Sequence, residues 1–198
     1  AREARILDRF LEKCSIKGLD TYVDAVKKDL QRMVKHKAGR ELFEDLANSG
    51  KNFVIEQADS ETWKRFGGAA AFPVDGQLAH AVPNYHPGGG LQLIDGKGGS
   101  WAADFTPNKG TGSTVKYTPW EWPNDKAAKT PGDVVLFHEL THSRNMANGE
   151  GLGAVVKNEP GFESSWKNME EFNTVANENL YRAERGLPLR ADYTSPMP

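Results

Sequence analysis

The feature that most constrains this chain is the run His138-Glu139-Leu140-Thr141-His142, which lies inside a predicted helix. Residues four apart on an α-helix differ by about 40° in direction and about 6 Å in height, so both imidazoles can reach one metal ion. Glu139 lies about 100° from the first histidine, where its carboxylate stands beside a metal and can take a proton from water there. The pattern therefore predicts a metal site.

The residues around this motif predict where its helix begins and ends. Thr130 has the position of an N-cap, and Pro131 that of the first helical residue. Asn148-Gly149 is typical of a helix stop. The apolar run 134–137 predicts burial, and buried histidines need polar partners that a metal would supply. The alternative, a chance match by two core histidines, does not favour such a delimited apolar helix.

A catalytic zinc site needs a third protein ligand and an open fourth position. The extended metzincin pattern requires glycine and histidine where this chain has Asn145 and Asn148, so that type is excluded. The remaining route is a carboxylate from a following helix, predicted to start near residue 168. Glu170 and Glu171 are the candidates there, and the residues alone leave the choice between them open.

Two alternatives to this assignment remain at the sequence level. The adjacent glutamates can be exposed residues of a first helical turn, forming a capping box with Asn168. The third ligand can instead be Asp192, His80 or His86.

Outside the motif, the patterning predicts one α+β domain covering residues 1–198, in three parts. Residues 1–50 keep helical spacing of apolar residues, with Cys14 as an inert thiol on an amphipathic helix. Residues 51–128 are rich in strand signals, at 53–55, 91–94 and 113–117. Residues 129–198 are predicted to form the metal-binding helices, with a possible break at 177–179.

Composition excludes several classes of protein. The longest apolar runs are far too short to span a bilayer, so no membrane partner is expected. The formal net charge of −2 disfavours nucleic-acid binding, although residues 1–40 are basic. A single cysteine excludes an internal disulfide framework.

Several motifs in order resemble the NleD-type zinc metallopeptidase effectors of bacterial type III secretion systems. The resemblance covers about residues 130–195, and its motifs are His138 to His142, Glu170-Glu171-x-x-Thr174, Asn177-Glu178-Asn179, Arg182, Gly186-Leu187-Pro188 and Arg190-x-x-Tyr193. It implies a zincin-like fold, Zn²⁺ as cofactor and a host signalling protein as substrate, with MAP kinases as precedent. It also implies secretion into the host cytoplasm, a possible secretion chaperone and a monomer.

The same region resembles the clostridial neurotoxin proteases. That resemblance implies that Glu171 is the zinc ligand and that Glu170 holds a zinc-bound histidine from behind. It also implies that Arg190 and Tyr193 flank the oxyanion, where a guanidinium and a phenol can both donate hydrogen bonds.

Three functional hypotheses follow. The favoured one is a zinc-dependent endopeptidase in which Glu139 is the general base. The second is an inactive protease-like module that captures a host protein, and the third is a zinc amidase acting on cell-wall peptides. For a peptidase, the strand at 113–119 or that at 91–94 could receive the substrate as an added edge strand, the alternative being that either is an interior strand.

Overall fold

The structure is a computed structural model that describes residues 1–86, 91–94, 100–120, 130–152 and 169–190. The described residues form an α+β fold, as predicted. The helices are α1 (Arg2–Leu11), α2 (Asp20–Met33), α3 (Lys37–Asn48), α4 (Ser60–Phe66), α5 (Gly76–Ala79), α6 (Gly132–Ala147) and α7 (Met169–Glu184). The strands are β1 (Cys14–Lys17), β2 (Phe53–Glu56), β3 (Ala70–Pro73), β4 (Val82–His86), β5 (Leu91–Ile94), β6 (Ser100–Thr106) and β7 (Ser113–Lys116).

The described strands form two small sheets. The first has the order β1-β2-β7-β3, with β1, β2 and β7 parallel and β3 antiparallel at the edge. The second is an antiparallel sheet of order β4-β6-β5. The strands predicted at 53–55, 91–94 and 113–117 are confirmed. Strand β7 lies inside its sheet, however, so the expectation that it offers an edge to substrate is wrong.

Buried and half-exposed residues alternate along the strands of the first sheet, and this explains how one face of the sheet packs on the core. Phe53, Ile55 and Val115 are buried, while their neighbours in β2 and β7 are half-exposed. The buried face joins one core with the N-terminal helices, where Phe10 stacks on Phe43 with ring centroids 4.7 Å apart. A half-buried strand with period two stabilises its sheet mainly through such burial.

One strand was missed in the N-terminal part of the chain. Cys14–Lys17 forms β1 and pairs in parallel with β2, so Cys14 lies on a strand and its placement on a helix is wrong. Cys14 and Ile16 alternate with polar residues, but four residues between two helices carry too little pattern to be recognised. Burial raises the pKa of the Cys14 thiol to about 12, which keeps it protonated.

Helix α6 is buried on almost every side. It contacts α2, α3 and α7 as well as β3 and β7, and its apolar residues Val134, Leu136 and Leu140 are fully buried. A helix that is surrounded in this way holds its polar side chains in fixed positions, because neighbouring elements pack against them.

The predicted start of α6 is corrected by the structure. The helix begins at Gly132 with Pro131, not Thr130, as N-cap, and the hydroxyl of Thr130 accepts a hydrogen bond from Arg182. The carbonyl of Pro131 accepts the first helical N–H groups instead. The predicted stop is confirmed, since Gly149 has a φ of +67° and a Cβ there would lie 2.2 Å from the carbonyl oxygen of Asn108.

Helix α7 is continuous through residues 177–179, so the predicted break is wrong. Asparagine favours breaks when its amide competes for local backbone groups. Here Asn179 bonds both the N–H and the carbonyl of Arg190, and Asn177 donates to the carbonyl of Asn173 one turn earlier. Neither amide is therefore available to end the helix, which runs to Glu184.

Within the described residues, no helix is long and apolar enough to cross a membrane.

Candidate metal centre

Two histidines of α6 and one glutamate of α7 converge on a single point. The Nε2 atoms of His138 and His142 are 3.2 Å apart. The two carboxylate oxygens of Glu171 each lie 3.1 Å from one of these nitrogens. All three side chains are buried or nearly so, so this polar cluster sits inside the protein.

The spacing of these atoms fits a tetrahedral metal ion. Bonds of about 2.0–2.1 Å to nitrogen and carboxylate oxygen place tetrahedral ligands about 3.3 Å apart. The two Nε2 atoms, 3.2 Å apart, are close to that value, and each lies 3.1 Å from a different oxygen of Glu171. With one ligand atom taken from each residue, all three atoms lie within 4.8 Å of one another, so His138, His142 and Glu171 could hold a metal ion between them.

A buried carboxylate supports His138 from the side away from this point. Its Nδ1 lies 2.8 Å from Glu178 Oε1. Glu178 is itself held by the guanidinium groups of Arg182 and Arg190, the latter at 2.9 Å. Hydrogen bonds from His138 and charge from the two arginines outweigh burial and lower the pKa of Glu178 to about 2.

His142 has an equivalent support from α7. Its Nδ1 lies 3.0 Å from Glu170 Oε1 and 3.3 Å from the hydroxyl of Thr174. Glu170 also accepts hydrogen bonds from Asn145 Nδ2, at 2.9 Å, and from the backbone N–H of Leu152, at 3.1 Å. Glu170 is buried, so the alternative that the pair Glu170-Glu171 is exposed in a first turn is wrong.

These contacts determine which nitrogen of each imidazole faces the centre as an acceptor. An ionised carboxylate only accepts hydrogen bonds, so the Nδ1 atoms of His138 and His142 are the donors to Glu178 and Glu170. In the neutral imidazoles both Nε2 atoms then present lone pairs to each other and to Glu171. Three acceptors that meet in a buried site repel one another unless a cation lies between them.

Protons take the place of that cation in the metal-free protein. Burial disfavours the charged imidazolium, but the hydrogen bonds that it donates to Glu171 and Glu178 outweigh burial and raise the pKa of His138 to about 9. The pKa of His142 is also raised, by Glu170 and Glu171 against the effect of burial.

This protonation predicts a pH dependence for the metal-free protein. The folded pKa of His138 exceeds the unfolded value of 6.5, so its contribution is complete below pH 6.5 and is lost as pH rises through about 9. We expect the free energy of unfolding to fall by about 3 kcal/mol over this range, measured by denaturant titration with a chelator present. With metal bound the slope should reverse, since protons compete with the metal. Equal slopes in both forms would contradict this assignment.

Glu139 is buried beside the two histidines. Burial raises the pKa of its carboxyl, and the charges of His138 and His142 only partly offset this. A carboxylate with a raised pKa is a stronger base, which suits proton abstraction near neutral pH.

The remaining candidates from the sequence are placed as follows. Arg190 donates a hydrogen bond to Glu178, and Glu178 in turn contacts His138. His80 bonds the carbonyl of Gly76 and is not part of the described histidine–glutamate cluster. Tyr193, Asp192 and the side chain of His86 lie outside the described residues.

Sequence reasoning assigned no site role to Glu178 or Thr174. Counted from Glu171, Thr174 lies three positions and Glu178 seven positions further along α7, so all three share one face of the helix. Arg182 follows on the same face, and Thr174, Glu178 and Arg182 are all buried. The signal that could have found them is this polar stripe, which is unusual on a buried helix face.

Two histidines one turn apart on a buried helix, with a carboxylate from the next helix, are the donor set of metallopeptidase-type sites. A family model described as an effector protein, that of the M91 peptidase family, matches residues 12–193. The chain therefore belongs to this NleD-type effector family, and the match includes the N-terminal part that the motifs did not cover. No curated protein and no solved structure matches the chain significantly.

Family membership makes this a protease-like effector. An effector of this family acts in general on a host protein after delivery into a host cell.

Proposed function

We propose that the protein is a zinc-dependent endopeptidase of the zincin type that cleaves a host protein. His138, His142 and Glu171 hold the zinc, and Glu139 is the general base. The observation that carries the proposal is the convergence of His138, His142 and Glu171, whose ligand atoms all lie within 4.8 Å of one another, beside the buried Glu139.

Zinc held there supplies Lewis acidity, which polarises the scissile carbonyl and makes water acidic enough to react near neutral pH. Glu139 takes the proton from the attacking water and delivers it to the leaving amine. Glu178 and Glu170 hold His138 and His142 in the required orientation and tautomer. Glu139 directly follows the proposed ligand His138 in α6, so the helix keeps its carboxylate close to the proposed metal position.

Arg190 and Tyr193 are proposed as donors to the oxyanion. For Arg190 the support is its bond to Glu178, which links its guanidinium to the carboxylate that holds His138. For Tyr193 the support is the resemblance alone.

The substrate is proposed to pair with β3. Among the described residues this strand is one of the two edges of the first sheet, and it packs beside α6. An extended peptide added there gains main-chain hydrogen bonds near the metal centre. Pro73 has no N–H, so this pairing is limited to the first part of the strand.

The proposal is tested by metal content and by the appearance of new protein N-termini. We expect about one zinc per purified chain. In a eukaryotic cell extract, new N-termini should appear only with the zinc-loaded protein, vanish with a chelator and return when zinc is added. Full zinc loading with no new N-termini would reject the peptidase and favour a module that captures a host protein.

A further inference from the structure

A cavity of about 420 Å³ lies against Glu170, the residue that supports the proposed metal ligand His142. Glu170 forms part of its wall, and the same side chain contacts His142 Nδ1 at 3.0 Å, so one residue separates the cavity from a proposed metal ligand. The volume falls within the range of about 300–1,000 Å³ typical of ligand pockets. It accommodates a long side chain with its flanking backbone.

The polar lining of this cavity is rich in acceptors. Glu150 and Glu170 contribute carboxylates, and Asn145, Asn173 and Asn177 contribute amides. Asn145 donates its Nδ2 to Glu170, and Asn177 donates its Nδ2 to the carbonyl of Asn173, so the other branch of each amide is a carbonyl oxygen. None of the described residues lining the cavity is a lysine, arginine or histidine.

The rim that carries Glu150 is held rigidly. The N–H of Glu150 donates to the carbonyl of Asn145. Gly151 exchanges backbone hydrogen bonds with Ala79 and Ala81 on one side, while the N–H of Leu152 bonds Glu170 on the other. Glu150 itself is exposed, so its carboxylate stands at the mouth of a pre-formed cavity.

We propose that this cavity is a specificity pocket that takes an arginine or lysine side chain of the substrate close to the scissile bond. The proposal rests on the peptidase function proposed above. Long cationic side chains match the charge, since both ionisable groups among the described lining residues are acids. They also match the chemistry, because a guanidinium or ammonium only donates hydrogen bonds and the lining offers acceptors.

The first experiment measures binding without cleavage. The probes are Nα-acetyl-argininamide and its neutral isostere Nα-acetyl-citrullinamide, added to the purified Glu139→Gln protein. We expect the arginine probe to shift the NMR signals of the Asn145, Asn173 and Asn177 side-chain amides and to bind about fivefold more tightly. Adding Glu150→Gln should remove this preference, whereas the exposed control Glu12→Gln should keep it. Equal binding of both probes, or no shift of these amides, would overturn the proposal.

The second experiment maps cleavage sites in a library of peptides prepared from a whole proteome. We expect arginine or lysine to be enriched at one position within about three residues of the cleaved bond, the reach of an extended chain beside a zinc site. Glu150→Gln should weaken this preference, and Glu150→Lys should replace it by aspartate or glutamate. Cleavage without any basic preference would overturn the pocket and leave the peptidase intact. No cleavage at all would contradict the peptidase itself and, with it, the substrate assignment.

Discussion

Replacing Glu139 by glutamine is expected to lower kcat about 10³- to 10⁴-fold while the protein keeps its metal. Glutamine preserves the shape of the side chain but cannot take a proton from water. The three residues that converge on the metal position, His138, His142 and Glu171, are unchanged in this variant. The measurement compares kcat on an identified cleaved protein, zinc per chain and thermal stability.

The control for this variant is Glu12→Gln, an exposed change far along the chain from the centre. It should leave kcat and zinc content as they are. If Glu139→Gln cleaved at a comparable rate, Glu139 would not be the base. If Glu139→Gln lost its zinc, the missing metal would explain the loss of activity, and the assignment of Glu139 as general base would fail.

Replacing Glu171 by alanine is expected to weaken zinc binding about 10³-fold, because one of the protein ligands is removed. Glu170→Gln and Glu178→Gln should weaken it only about 10- to 100-fold, since these residues act through the histidines. Zinc affinity is measured by competition with a chelator of known affinity, and denaturant titration shows whether each variant is folded. The opposite order, with Glu170 dominant, would make Glu170 the ligand.

The zinc affinities of these variants would show whether Glu170 or Glu171 is the ligand, a choice that the sequence alone left open. Glu170 and Glu171 are neighbours, and one step along a helix turns the side chain by about 100°. Packing of α7 on α6 directs Glu171 to the Nε2 atoms of both histidines and Glu170 to the Nδ1 atom of His142. The resemblance to neurotoxin proteases implied the same division, and the contacts supply its physical basis.

Errors in the secondary-structure predictions share a cause. Strand β1 is stabilised by pairing with β2, which lies almost 40 residues further along the chain, so its short local pattern is uninformative. The N-cap predicted at Thr130 lies at Pro131 instead, and the Thr130 hydroxyl accepts a hydrogen bond from Arg182 of another helix. In each case a partner distant in sequence outweighed a local preference.

The features that the sequence determined by itself are those that depend only on neighbouring residues in the chain. Helical periodicity places His138 and His142 on one face with Glu139 beside them, wherever the helix lies. The strand at 53–55 and the stop at Asn148-Gly149 follow from local alternation and from the conformational freedom of glycine.

Only the tertiary structure decided how the centre is completed. Packing of α7 against α6 selected Glu171 over Glu170 to face both Nε2 atoms, brought Glu178 behind His138 and linked Arg190 to that carboxylate. It also formed the acceptor-lined cavity next to Glu170. These features depend on the relative rotation and spacing of two helices, which are set by contacts between residues far apart in the chain.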